Sequence, residues 1–277
     1  MKGAFARYCV PIIGPISCGK STFLNSLISI KEDLLEEGLQ TTTKFLCIIR
    51  NNKKLIEPEF YKVSIKKIEE KIFYKEVGSR IKGKNNIQKE IRLINSNLQK
   101  ECFDVSNFIY LLEVNIAFAK ETNFFENYDL VDIPGLDEAN TYYSEKIIEY
   151  LKDNFKFCIY MFNSNYYKDN KIIDIMKLVK EKCKLDFRNS LIILNKIDQH
   201  SNREQIMREF RRYLMENFGD IIYDDSNNII GLDSIILKYE NKAKLDINNL
   251  FNYYYKQYEI EIKDKKKARQ RRIFKIN

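Results

Sequence analysis

Short β-type apolar runs alternate along this chain with longer segments whose apolar residues recur every three or four positions. The short runs predict strands at Tyr8–Ile13, Phe45–Arg50, Ile109–Phe118, Tyr128–Asp132, Phe157–Asn163, Ser190–Asn195 and Ile229–Leu232. The longer segments predict helices at Lys20–Ile30, Tyr142–Asn154, Asn170–Lys184 and Asn202–Asn217. Ser201-Asn-Arg-Glu204 has capping-box spacing and marks the start of the last helix. Alternating strands and helices predict an α/β domain with a mainly parallel central sheet flanked by helices.

Residues 51–107 exceed what a minimal α/β design needs. Ile65, Ile68, Ile72 and Phe73, then Ile87, Ile91, Ile94 and Leu98, fall at helical spacing and predict a helical insertion. Past Ser234, Leu250, Phe251, Tyr254, Tyr255 and Tyr258 form a further apolar-aromatic stripe. That stripe predicts a helix within 241–262 that packs on the domain or on a partner. The expected division is a domain over 1–240, this helix, and a basic tail over 263–277.

Composition changes the picture in three places. Of the formal net charge of +8, residues 263–272 carry +6, with seven Lys/Arg against one Asp. Such a tail can attract an anionic membrane surface; it lacks interleaved aromatics, so nucleic acid is not expected as a partner. The longest apolar stretch, Phe108–Phe118, is interrupted by Glu113 and Asn115 and is too short to span a bilayer. No signal-peptide core precedes the first strand. The six cysteines show no CxxC pair, and Cys9, Cys47 and Cys158 sit in apolar runs as core residues. A reducing, cytoplasmic setting is expected, with peripheral membrane contact as an option.

Gly14-Pro-Ile-Ser-Cys-Gly-Lys-Ser21 matches GxxxxGK[ST] between a predicted strand and a predicted helix. Its glycines, Gly14 and Gly19, let the backbone curl past Pro15 so that the amides of Ile16, Ser17, Cys18 and their neighbours through Thr22 point at phosphate oxygens. Proline contributes shape rather than an amide. Lys20 would reach the β- and γ-phosphates, and the Ser21 hydroxyl would ligate Mg2+. Leu130-Val-Asp132-Ile-Pro-Gly135 ends a strand in DxxG, where Asp132 would hold the metal through water and the Gly135 amide would sense the γ-phosphate. Ile192-Ile-Leu-Asn195-Lys-Ile-Asp198 carries NKxD. A carboxylate can accept from both the N1–H and the exocyclic amine of guanine, a donor pair that adenine lacks. Asp198 takes that role; Asn195 braces the loop and the Lys196 stem covers one base face.

Gln40-Thr41-Thr42-Thr43-Lys44 lies at a strand entrance between the first two motifs. A threonine there can close over the γ-phosphate and give its hydroxyl to Mg2+. Thr42 is favoured, with Thr41 second. Leu232 and Asp233, after the last strand, fall where a base-supporting loop would lie. All these segments sit at carboxyl ends of predicted strands, where open α/β sheets bind ligands. The chain reads as a guanine-nucleotide domain of the P-loop NTPase class.

The segments 14–24, Gln40-Thr-Thr-Thr-Lys-Phe45, Val131-Asp-Ile-Pro-Gly-Leu136 and Leu194-Asn-Lys-Ile-Asp198 resemble the dynamin superfamily of large GTPases over about residues 5–240. The long interval between the threonine segment and Asp132 is similar too. The resemblance implies hydrolysis of GTP to GDP and phosphate with Mg2+, stimulated by homodimerisation across the nucleotide face and linked to membrane remodelling. It implies catalytic roles for Ser17, which would neutralise developing charge, and for Lys20 and Thr42. Ile16 and Leu136 stand where water-orienting side chains are common, which favours slow basal turnover. They leave open a nucleotide-gated interaction module with negligible hydrolysis. The same segments look like those of EH-domain dynamin relatives that bind ATP, so an ATP-specific relative is a further alternative. His200, the only histidine, is expected as an exposed loop residue.

Overall fold

A computed structural model describes residues 7–28, 33–35, 45–68, 71–97, 108–120, 122–134, 155, 157–184, 190–219, 229–232, 247–249, 251–252 and 256. Outside the described residues lie the expected helix at 142–154, the threonine segment 40–44, Gly135, Leu136, Asp233, most of 241–262 and the whole tail 263–277.

Among the described residues, nine strands form one sheet: β1 (Tyr8–Ile13), β2 (Cys47–Asn51), β3 (Glu59–Ile68), β4 (Lys71–Lys82), β5 (Phe108–Val114), β6 (Tyr128–Asp132), β7 (Cys158–Asn163), β8 (Ser190–Asn195) and β9 (Ile229–Leu232). Their order is β4-β3-β5-β2-β6-β1-β7-β8-β9. The half that carries the nucleotide motifs, β6-β1-β7-β8-β9, is parallel throughout. β2 pairs antiparallel with β6 and parallel with β5, and the β3–β4 hairpin extends the far edge. Central strands reject water on both faces: β6, β7 and β8 are buried at every position.

Helices α1 (Lys20–Ile28), α2 (Lys84–Asn97), α3 (Phe124–Asn127), α4 (Asn170–Cys183) and α5 (Arg203–Phe218) flank this sheet. One core cluster joins α1 and α2 through Phe23, Leu27, Ile87 and Ile91 to one sheet face. The other joins α4 and α5 through Ile172, Met176, Phe210 and Leu214 to the opposite face. Phe251, from helical residues near the chain end, is fully buried and stacks on Phe124 at 4.5 Å. The Thr122 hydroxyl donates to Asn252 Oδ1 at 2.7 Å beside it. Cys9, Cys18, Cys47 and Cys158 are buried free thiols, and burial raises the pKa of all four. Among the described residues, no helix is long and apolar enough to cross a membrane.

Three expectations need correction. The first half of the insertion is the β3–β4 hairpin; only its second half is helical, as α2. The helical spacing of Ile65, Ile68 and Ile72 arises from two strands read as one segment, because Ile65 pairs with Tyr74 and Lys67 with Ile72. Secondly, β5 ends at Val114, and a 3-10 turn, Ala117–Lys120, follows where the strand was expected to run on. Thirdly, the cap of α5 is Asn202, not Ser201: its side chain accepts from the Gln205 amide at 3.0 Å and donates back to Gln205 Oε1 at 3.3 Å.

Candidate functional site

β1 places the phosphate loop. It ends at Ile13, and the chain turns at once through Gly14 into α1, which opens with Lys20 and Ser21. A Cβ on Gly14 would lie 2.4 Å from the Met161 carbonyl oxygen and 2.7 Å from Cys18 Sγ. The requirement is therefore close approach of the loop to β7, not an unusual dihedral. Ser17 (φ 60°) and Gly19 (φ 96°) then take left-handed conformations. That alternation curls the backbone into an anion-binding concavity at the positive end of a helix. Gly14→Ala is expected to lower the unfolding free energy by about 1–3 kcal/mol through overpacking, read by denaturant titration.

Lys20 is 8 % exposed and folds back over the loop, its Nζ donating to the carbonyls of Gly14 at 2.9 Å and Pro15 at 3.1 Å. The ammonium is thus already held above the concavity. Pro15, Ile16, Ser17 and Gly19 are half-buried and form its rim. Asp132, fully buried, ends β6 beside Ile12 of β1 and opposite Cys47 of β2. Its carboxylate adds to burial in raising the Cys47 thiol pKa well above its ordinary value. Ser21 and Asp132 offer a hydroxyl and a carboxylate, hard oxygen donors of the kind that suit Mg2+ alongside phosphate oxygens. The donor set fits that ion.

NKxD is joined to the phosphate loop directly. Asn195 Nδ2 donates to the Cys18 carbonyl at 2.8 Å, and Lys196 Nζ donates to the Ser17 carbonyl at 2.9 Å. Lys196 itself adopts φ 62°, and Asp198 follows, exposed, in the 3-10 turn Ile197–Gln199. Leu232 pairs with Asn195 at the end of β9, so the last strand ends beside the same loop. Gly231 makes room there: a Cβ would stand 2.7 Å from Ile197 Cδ1. The structure therefore brings together 14–22, Asp132, Asn195, Lys196, Asp198 and Leu232 at one end of the sheet. Thr41, Thr42, Gly135 and Asp233 fall outside the described residues.

Five residues that support the site escape motif reading. Asn25 of α1 accepts from the amides of Leu34 and Leu35 at 3.0 and 2.8 Å and donates to the Leu35 carbonyl at 2.9 Å. It pins the stretch that leads into the threonine segment, and Gln88 of α2 reaches the Asp33 carbonyl at 2.9 Å. The available signal was an amide set in the apolar run Phe23-Leu24-Asn25-Ser26-Leu27. Asn163 ends β7 beside Asn195, and Ser164 donates to the Lys196 carbonyl at 2.7 Å. His200 is half-buried rather than exposed, with Nε2 3.0 Å from the Ser164 hydroxyl.

A sequence profile of the dynamin family matches residues 10–197, more than half of the chain. Two solved structures of an oligomerised bacterial dynamin pair, described as a mechanism for long-range sensing and tethering of membranes, share the fold. One superposes with a TM-score of 0.55 at 20 % identity, the other with 0.57 at 19 %. Each comparison covers 98 % of this chain and 43 % of the other, so this chain spans less than half the length of those proteins. No curated protein matches the chain.

Proposed function

The chain belongs to the dynamin family, and from that premise we propose that it binds GTP and GDP with Mg2+ and hydrolyses GTP to GDP and phosphate. One observation carries the reading: the base loop and the phosphate loop form a single hydrogen-bonded unit, through Asn195 to Cys18 and Lys196 to Ser17. A ligand gripped by the loop amides would present its purine to Asp198. Lys20 would leave the carbonyls it now holds for the phosphates, which are stronger acceptors. Ser21, Asp132 and Thr42, with Thr41 second, would hold the metal; when bound, it neutralises charge between the β- and γ-phosphates. The Gly135 amide would sense the γ-phosphate, and Leu232 and Asp233 would flank the base.

Titration calorimetry with GTP, GDP and ATP, each with and without Mg2+, tests this reading. GTP and GDP are expected to bind one per chain, with ATP weaker by about 100-fold or more, because the paired donors that Asp198 needs are missing from adenine. Equal binding of ATP would overturn the guanine assignment and restore the ATP-specific alternative.

Homodimerisation across the nucleotide face and membrane remodelling extend the proposal. The bacterial dynamin pair supports them only by its fold and by what is said of it. Phe251, buried against Phe124 and Phe125, supports a C-terminal helix within 241–262 that packs on the 1–240 domain. Residues 263–277 would then leave the domain as a basic arm for an anionic membrane. Ile16 favours a second reading, since it puts an aliphatic side chain on the loop rim and offers no group to orient water. In that case the chain is a nucleotide-gated interaction module, and single-turnover phosphate release separates the two.

A further inference from the structure

We propose that Asn163, which lies outside every nucleotide-binding motif, is a positioning residue that fixes the Ser17 carbonyl and thereby the shape of the phosphate loop. The proposal rests on the nucleotide reading above and deepens it.

Ser17 is one of three non-glycine residues with positive φ among those described, and such a conformation persists only where its surroundings impose it. Two donors converge on its carbonyl oxygen: Lys196 Nζ at 2.9 Å and Asn163 Nδ2 at 3.3 Å. The lysine belongs to NKxD and hangs on a flexible stem. Asn163 is a rigid support by comparison. It is 4 % exposed, ends a fully buried strand, and pairs in register with Asn195. Its Oδ1 accepts from the Asn165 amide at 3.0 Å, which fixes the side chain with nitrogen toward Ser17. A flipped amide would set oxygen against oxygen.

Two neighbouring asparagines thus grip successive carbonyls of the loop, Asn163 that of Ser17 and Asn195 that of Cys18. The C=O and N–H of a trans peptide point in opposite directions. Fixing the Ser17 oxygen therefore aims the Cys18 N–H, and fixing the Cys18 oxygen aims the Gly19 N–H. The Cys18 N–H meets the Pro15 carbonyl only at 3.4 Å, so it is available to a better acceptor. Ser164, next in sequence, ties the same β7 end to the base loop: its amide donates to the Asn195 carbonyl at 3.0 Å, and its hydroxyl to the Lys196 carbonyl. One strand end therefore sets both halves of the site, and Asn163 supplies the contact on the phosphate side.

Asn163→Asp isolates the donor. Aspartate keeps the size and the acceptor for Asn165 but turns a carboxylate oxygen toward the Ser17 carbonyl. Protonation of that carboxyl restores a donor; burial and the facing oxygen raise its pKa, and Lys196 Nζ, which converges on the same oxygen, opposes them. Affinity for GTP and GDP, by calorimetry from pH 5.5 to 8, is expected to fall about tenfold or more at pH 8 and to recover as pH is lowered. Wild type, measured in parallel, should show no such recovery. Wild-type affinity of the variant at pH 8 overturns the proposal. If Asn163→Asp does not fold at pH 8, Asn163→Ala is read instead: a loss of about threefold or more supports the proposal, and unchanged affinity overturns it. Wild type that binds neither nucleotide would sink the nucleotide reading itself, an outcome distinct from all of these.

Discussion

Lys20→Ala is expected to weaken GTP binding by about 100- to 1000-fold, the scale seen when one preorganised donor is removed from a developing or bound oxyanion in a dry site. The ammonium is nearly buried and spends its hydrogen bonds on two loop carbonyls, Gly14 and Pro15. Those bonds hold the charge where phosphate would arrive. Its removal should affect the unliganded fold less, because the half-buried Pro15 carbonyl can turn to water and only the Gly14 carbonyl is buried. Two melting curves separate the effects. Wild type should gain several degrees with excess GTP and Mg2+ through ligand linkage, whereas the variant should start from a similar melting temperature and gain almost nothing. A variant that keeps the full ligand-induced shift would show that Lys20 does not meet the phosphates.

The parts of the fold that the sequence made legible are those where local pattern and tertiary role coincide. β1, β6, β8 and β9 were readable to the residue, because each is a short apolar-rich run flanked by polar or turn-forming residues, the local mark of a strand. The hairpin was not. Ile65, Ile68 and Ile72 satisfy a helical period only if the chain is taken as one segment. The decisive fact, that Val63 and Tyr61 share a face on β3 while Phe60 takes the other, depends on pairing with β5. Non-local pairing leaves no mark at the spacing a single-segment pattern can register.

The site divides in the same way. Loop glycines, Lys20 and NKxD announce themselves, since their chemistry fixes both residue type and spacing. Asn163, Ser164 and Asn25 act through carbonyl and amide partners far along the chain, and a lone polar residue at the end of an apolar run has many innocent explanations. His200 illustrates the limit: its position two residues after NKxD suggested exposure, but its partner Ser164 lies 36 residues earlier. The tie is visible only once β7 and β8 stand side by side.

Asp198→Asn tests the other end of the ligand. The change is expected to lower affinity for GTP by about 1000-fold or more, since a site built to accept two donors loses one pairing and gains a clash between amine and amide. Xanthosine triphosphate carries a carbonyl where guanine carries its amine. The introduced amide can donate to that carbonyl while its oxygen still accepts from N1–H, so this nucleotide should bind the variant better than GTP does. Asp198 is exposed, and the bonds that tie the base loop to the phosphate loop belong to Asn195 and Lys196. The melting temperature without ligand should therefore stay within about a degree or two of wild type, as for most surface substitutions. That separation gives the test its force: the scaffold is left in place and only the hydrogen-bond code at the purine edge is rewritten. Unchanged preference for GTP in a stable variant would mean that the base is read elsewhere, and the coupling of base loop to phosphate loop would then serve the fold alone.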